Sequence, residues 1–117
     1  MKLTHSCHAN GCSWATERWR FMCRAHWIRL PSAMQGAILD AYRAHKTEAE
    51  RCRSLAYMTA CANAVEHIAR LEGKPEANSY RRVASILEKQ AAAQLPQMTA
   101  NIQALIENAP RPSGVHP

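Results

Sequence analysis

The stretch that decides the fold of this chain is residues 7–26, which read CHANGCSWATERWRFMCRAH. It contains Cys7, Cys12, Cys23 and His26 in the spacing C-x4-C, ten residues, then C-x2-H. Three thiolates and one imidazole are a common ligand set of a structural zinc ion, which binds them tetrahedrally. A turn signal stands directly before Cys12, because Asn-Gly favours a tight reversal of the chain. We therefore predict a structural Zn²⁺ site formed by these four side chains.

Other ligand choices stay open at this point. His5 or His8 could replace one of the four ligands, although His8 directly follows Cys7 and is expected to point away from the ion. The thiols could also be buried simply as small hydrophobic groups. Cys52 and Cys61 stand nine residues apart on one predicted helix, hence on opposite faces, so we interpret them as buried structural thiols.

A catalytic role for the metal is not expected. A catalytic zinc ion keeps one coordination position open for water, whereas four protein ligands fill the sphere. Glu17 is the only acidic residue among the first 30, and the H-E-x-x-H motif of zinc hydrolases is absent from the chain. We therefore predict a protein that is not an enzyme.

The predicted fold class is mainly α. Residues 1–31 form a treble-clef-like zinc finger with a knuckle, a short hairpin within residues 13–21, and a helix whose first turn carries Cys23 and His26. About four helices follow. Residues 32–73 hold two of them, packed on the finger, residues 74–109 hold a C-terminal helical pair, and residues 110–117 form a flexible tail rich in proline.

Capping signals set the predicted helix boundaries. Ser32-Ala-Met-Gln and Thr47-Glu-Ala-Glu have the form of capping boxes, and Gly73 ends the second helix. The second helix is the predicted centre of the fold, because its apolar, alanine-rich face is wide. Residues 74–78 are a predicted linker and Ser79 a predicted helix cap. Pro96 marks the start of a separate last helix.

Positive charge is concentrated in the predicted finger. The chain has a formal charge of +6, and residues 1–30 carry five basic residues against one acidic residue. Three tryptophans, at positions 14, 19 and 27, interleave with the basic residues there. Guanidinium and aromatic groups together bind phosphates and stack on bases. We therefore predict nucleic-acid binding by Arg18, Arg20, Arg24 and Arg29, with a solvated surface and tryptophans that cover the metal site as the alternative.

A second functional hypothesis is a protein-interaction module. The alanine-rich helices have broad apolar faces, which could bind and modulate a host protein or support a homo-oligomer. The N-terminus lacks the apolar core of a signal peptide, and no apolar run is long enough to span a bilayer, so no membrane role is expected. A cytoplasmic location is predicted, where cysteine clusters more often bind metal than form disulfides.

Part of the sequence resembles a group of small bacteriophage and prophage proteins. The resemblance rests on Gly11-Cys12, on Met22-Cys-Arg-Ala-His-Trp27, on Leu30-Pro31 and on Tyr42-Arg43, and it covers about residues 7–60. These proteins carry an M-C-x-x-H-W-x-x-L-P stretch after a first pair of cysteines. The resemblance implies the same ligand assignment, to Cys7, Cys12, Cys23 and His26, and an origin in a phage or prophage acting in a bacterial cell. It implies no particular activity.

Overall fold

A computed structural model describes residues 4–17 and 19–108. Within these residues the chain forms two paired antiparallel strands and five helices, and the predicted mainly helical class with an N-terminal hairpin is confirmed. The elements are β1 (Thr4–Ser6), β2 (Ala15–Glu17), α1 (Arg24–Trp27), α2 (Ser32–Arg43), α3 (Glu48–Cys52), α4 (Leu55–Glu72) and α5 (Ser79–Asn108). The predicted tail at 110–117 lies outside the described residues.

The hairpin differs from the prediction in its position. β1 precedes Cys7 and β2 follows Cys12, with Thr4 paired to Glu17 and Ser6 to Ala15. The knuckle is therefore the connection between the two strands, and a hairpin contained within residues 13–21 is wrong. The reversal occurs at Gly11, whose φ of +77° is readily adopted only by glycine. The treble-clef-like plan itself stays a prediction.

The N-terminal ends of α2 and α4 differ from those that the capping boxes predict. Pro31, not Ser32, occupies the N-cap of α2, and the side-chain amide of Gln35 donates to the carbonyl of Trp27 at 2.8 Å instead of closing a capping box. The single helix predicted to begin at Thr47 is two helices. Its break occurs where Ser54 Oγ accepts from the amide of Tyr57 at 3.2 Å and so caps a new helix, α4.

Two other predicted helix ends are confirmed. Thr47 Oγ1 accepts from the amide of Glu50 at 3.2 Å and caps α3. Gly73, with a φ of +67°, ends α4 in the left-handed conformation that glycine tolerates best. At the junction of α2 and α3, the Arg51 guanidinium donates to the carbonyls of Tyr42 and His45 and lies 3.6 Å from the Tyr42 ring centroid. The Arg51 side chain thus binds two backbone carbonyls at and just beyond the C-terminal end of α2.

The central position predicted for α4 is confirmed. Its most deeply buried side chains include Cys61, Val65 and Ile68, none of which is exposed to solvent. They belong to one hydrophobic cluster that also takes in Met22 of the finger, Leu30 and Ile38 from the region of α2, and Ala84 of α5. Cys52 ends α3 at an exposed position, so its predicted burial is wrong, whereas that of Cys61 is confirmed.

The C-terminal helical pair is a single helix. α5 runs through Pro96, although an interior proline removes one backbone hydrogen bond. The residues before Pro96 are Ala93, Gln94 and Leu95, and no glycine or asparagine is present there to end a helix. Ser79 does not cap α5, because Asn78 Oδ1 accepts from the amide of Arg81 at 2.9 Å.

The chain consists of two compact units, and the boundary between them falls within α5. The first ends at Leu87, and the second begins at Glu88. In the first unit, Tyr80, Val83 and Leu87 pack against the hydrophobic cluster. In the described part of the second unit, every side chain is exposed. No helix in residues 4–17 or 19–108 combines the length and apolar character needed to cross a membrane.

Candidate metal centre

Four side chains from separate local elements converge in the finger. Cys7 follows β1, Cys12 closes the knuckle, Cys23 immediately precedes α1 and His26 lies on that helix. Their ligand atoms all lie within 4.8 Å of one another, which makes this group a plausible metal site. The sequence prediction that these four residues come together is confirmed.

Two of the distances between donor atoms are close to those expected around a metal ion. His26 Nδ1 lies 3.5 Å from Cys7 Sγ and 3.3 Å from Cys23 Sγ. Metal–sulfur bonds of ~2.3 Å and metal–nitrogen bonds of ~2.0–2.1 Å at the tetrahedral angle separate sulfur from nitrogen by about 3.6 Å. These two pairs are therefore spaced nearly as they would be around one ion, and Nδ1 is the His26 nitrogen that faces the sulfurs. The five cysteines of the chain are all free thiols, so no disulfide competes for these sulfurs.

Electrostatics at the two buried sulfurs also favour a cation. Burial raises the pKa of the Cys7 thiol to about 12, despite opposing hydrogen bonds from the backbone amides of Ala9 and Cys23. Burial also opposes ionisation of the Cys23 thiol, but hydrogen bonds from His26 and Cys7 outweigh it and lower the pKa of Cys23. Burial thus opposes the charged form of both sulfurs. A divalent ion bound here would supply the positive charge that stabilises buried thiolates.

Glu72, the last residue of α4, contacts His26 of the four-donor group. Its Oε2 lies 3.1 Å from His26 Nε2, on the side of the ring away from the sulfurs. A carboxylate in this position accepts a hydrogen bond from Nε2–H and leaves the Nδ1 lone pair free for a metal, as in the carboxylate–histidine pairs of known metal sites. The hydrogen bond from His26, with help from Lys74, holds the pKa of Glu72 below its usual range.

Sequence reasoning missed Glu72, which stands 46 residues from His26. The local sequence gives one signal for a special role of Glu72. A carboxylate at the C-terminal end of a helix is electrostatically unfavourable, because it lies at the negative end of the helix dipole. The structure supplies compensating cations. Arg29 Nη1 lies 3.3 Å from Oε2, and Lys74 Nζ lies 3.3 Å from the buried Oε1, an ion pair without hydrogen-bond geometry.

The predicted linker at 74–78 is a docking segment for the knuckle. The side-chain amide of Asn10 donates to the carbonyls of Pro75 and Ala77, each at 3.0 Å. Lys74 Nζ in turn donates to the carbonyl of Asn10 at 3.3 Å. The predicted linker does join α4 to α5, and these contacts also fix the finger to it.

The two extra histidines of the finger are outside the ligand group. His8 stacks on Phe21, and its Nδ1 lies 3.1 Å from the hydroxyl of Tyr80. His5 lies in β1, where its Nδ1 is 2.7 Å from the carbonyl oxygen of Ser6. Neither histidine belongs to the group of four metal-binding donors. The His8 contacts instead help to hold the knuckle against the first turn of α5.

The structure separates the predicted nucleic-acid-binding arginines. Arg20 and Arg24 line one open cleft together with Trp14 and Glu17, beside Cys23. Arg20 Nε forms an ion pair with Glu17 at 2.9 Å, and Arg24 is exposed. Arg29 instead pairs with Glu72, whereas Arg18 lies outside the described residues.

The three tryptophans of the finger also differ in their surroundings. Trp27 packs against the hydrophobic cluster, whereas Trp14 is 71% exposed and Trp19 is 65% exposed.

Comparisons with protein-family models, with curated proteins and with solved structures found no match to this chain. The resemblance to phage proteins therefore stays a prediction.

Proposed function

We propose that this protein is a non-enzymatic zinc-finger protein that binds nucleic acid through its basic N-terminal finger. The observation that carries the proposal is the cleft in which exposed Trp14 lies beside Arg20 and Arg24. An indole ring and two guanidinium groups in one cleft match the two parts of a nucleic acid, its bases and its phosphates. A surface tryptophan has no role in the hydrophobic cluster, so an external ligand accounts for it best.

Zinc is the proposed ion. Three sulfur donors and one imidazole favour a soft or borderline metal, and four-coordinate Cys₃His sites are typical of structural zinc. A complete set of four protein donors also supports a non-catalytic role. The free thiols of the cluster are compatible with the reducing cytoplasm of a bacterial cell, which is the location we propose.

The proposal predicts a salt-dependent affinity that rests on two arginines. Each phosphate contact contributes about 0.7 to 0.9 to the slope of log K against log salt concentration. In the double variant Arg20→Ala/Arg24→Ala we expect weaker binding and a salt slope that is smaller by roughly 1.4 to 1.8. Fluorescence anisotropy with a labelled oligonucleotide at several salt concentrations measures both quantities.

The matched control is Arg43→Ala/Arg53→Ala, which removes the same charge from two exposed positions outside the finger. This control should leave the slope nearly unchanged. Equal slopes for both double variants would mean that binding responds to net charge alone, and the proposed cleft would then be rejected.

A second candidate function, self-assembly, is favoured by one specific feature of α5. Leu95, Met98, Ile102 and Leu105 are each more than half exposed, and their spacing of three, four and three residues is that of a coiled-coil seam. Residues 90–106 contain no charged side chain. Two copies of this segment could therefore pack together without repulsion between like charges, so we propose a second copy of the chain as the partner.

A charge placed in the seam tests this candidate. We expect Ile102→Lys to convert a dimer into a monomer, because the lysine would face its own copy in an apolar seam. Size-exclusion chromatography with light scattering measures the mass. Ala100→Lys, on the opposite side of the same helix, adds the same charge and should leave the dimer intact. A wild-type protein that is monomeric at high concentration would contradict self-assembly.

A further inference from the structure

We propose that the finger binds single-stranded nucleic acid, with unpaired bases stacked on Trp14 and Trp19. This inference rests on the proposed nucleic-acid-binding function and names its ligand class. It follows from three features of the finger, namely the exposure of its tryptophans, the shortness of its helix, and the placement of its arginines.

The exposed indoles are the first feature. Trp14 and Trp19 are 71% and 65% exposed, and neither belongs to the hydrophobic cluster that Trp27 joins. A flat aromatic face on the surface binds a base by stacking, a contact that tolerates every base because each has a π face. Such stacking needs bases that are not already stacked and paired within a duplex. Two such rings in one small finger are therefore suited to an unpaired strand.

Backbone hydrogen bonds hold Trp14, and the residue that follows Trp19, in place before any ligand binds. The carbonyl of Trp14 accepts from the amide of Cys7 at 2.8 Å, which ties this residue to the first metal-binding cysteine. Trp19 stands beside Arg20, whose amide donates to the carbonyl of Glu17 at the end of β2 at 2.9 Å. A ring on a fixed backbone loses less entropy on binding than one on a mobile loop, which favours its use as a stacking platform.

The helix of the finger is the second feature, and it disfavours duplex recognition. Zinc fingers that read the major groove contact bases from positions spread over about two turns of a helix. α1 has only four residues, Arg24–Trp27, and Pro31 follows soon after it. Two of these four residues face inward, since His26 belongs to the metal group and Trp27 packs on the hydrophobic cluster. Too little helix remains to enter a groove.

The arginines are the third feature. Arg20 and Arg24 line the cleft beside Trp14, where they can contact the phosphates that flank a stacked base. The ion pair between Arg20 and Glu17 is exposed on both sides, so a phosphate can compete for that guanidinium at little cost. Arg29 pairs with Glu72 beside the metal centre and is not required. The cleft thus places one aromatic side chain next to two cationic side chains.

The test uses the zinc-loaded full-length chain and three probes of equal length, about 15 nucleotides each: oligo-dT, oligo-U and a mixed-sequence DNA duplex. We expect the two single strands to bind at least tenfold more tightly than the duplex and to quench tryptophan fluorescence. Trp14→Leu removes one stacking ring and should weaken single-strand binding by about 5- to 160-fold. Trp14→Phe keeps an aromatic face and should lose less.

Ile28→Ala is the matched control, because it removes an exposed apolar side chain of the finger that has no ring. Zinc content and circular dichroism establish that each variant is folded, and quenching of the wild-type protein needs no variant at all. Duplex binding that equals or exceeds single-strand binding, or single-strand binding without quenching, would overturn this inference and leave the proposed function standing. Absence of binding to all three probes would overturn both.

Discussion

Replacing Cys23 by serine should abolish stoichiometric metal binding and unfold the N-terminal finger. Cys23 Sγ belongs to the four-donor group and lies 3.3 Å from His26 Nδ1, and a serine hydroxyl does not ionise to replace a thiolate. The finger has two strands of three residues and one helix of four, too little structure to be stable by itself. We therefore expect a bound ion to supply much of its folding free energy.

The measurements are zinc content by elemental analysis and thermal unfolding by circular dichroism, with wild-type protein treated with a chelator as a reference. We expect the variant to contain no zinc and to melt as the chelated wild type does. Cys52→Ser is the control, because Cys52 is an exposed free thiol outside the metal group. A Cys23→Ser protein that retains one equivalent of zinc would show that the ion lies elsewhere.

Glu72→Gln should lower the affinity for zinc by roughly 10- to 100-fold while leaving the protein folded. The amide is nearly the same size as the carboxylate, and its oxygen can still accept a hydrogen bond from His26 Nε2. It has no negative charge, however, so it neither makes His26 a more basic ligand nor balances Arg29 and Lys74. Competition against a chromophoric zinc chelator measures the affinity directly.

Glu76→Gln provides the comparison for this variant. Glu76 forms a 2.8 Å ion pair with Arg70 near the same end of α4, but it belongs to neither the metal group nor its hydrogen-bonding partners. The affinity of this control for zinc should stay within about twofold of wild type, as for surface ion pairs that contribute little. Similar losses in both variants would mean that the carboxylate of Glu72 has no special part in holding His26.

The metal ligands were predictable from the sequence because their constraint is local. Each pair of ligands is held by a turn or by a few residues next to a helix, so spacing alone indicates that the pair can bind one ion. The same holds for the caps at Thr47 and Gly73, where a single side chain or a positive φ decides the helix end. Such features need no knowledge of the rest of the chain.

Most features that escaped prediction depend on partners outside the local sequence motif. Ser32 has the right spacing for a capping box, yet Gln35 instead contacts the carbonyl of Trp27 in the finger. The Glu72–His26 contact and the docking of Asn10 on residues 75–77 join segments 46 or more residues apart. The position of the hairpin escaped for another reason, since a three-residue strand such as β1 carries too little pattern to be recognised.

The bonds between Asn10 and the carbonyls of Pro75 and Ala77 determine where this chain can be cut. A synthetic peptide ending near residue 31 would keep all four donors but lose Glu72, the acceptors of Asn10, and the Tyr80 ring that lies edge-on to Phe21. Such a fragment could capture zinc without adopting the native finger. Transplanting this finger into another protein would require chain as far as the beginning of α5.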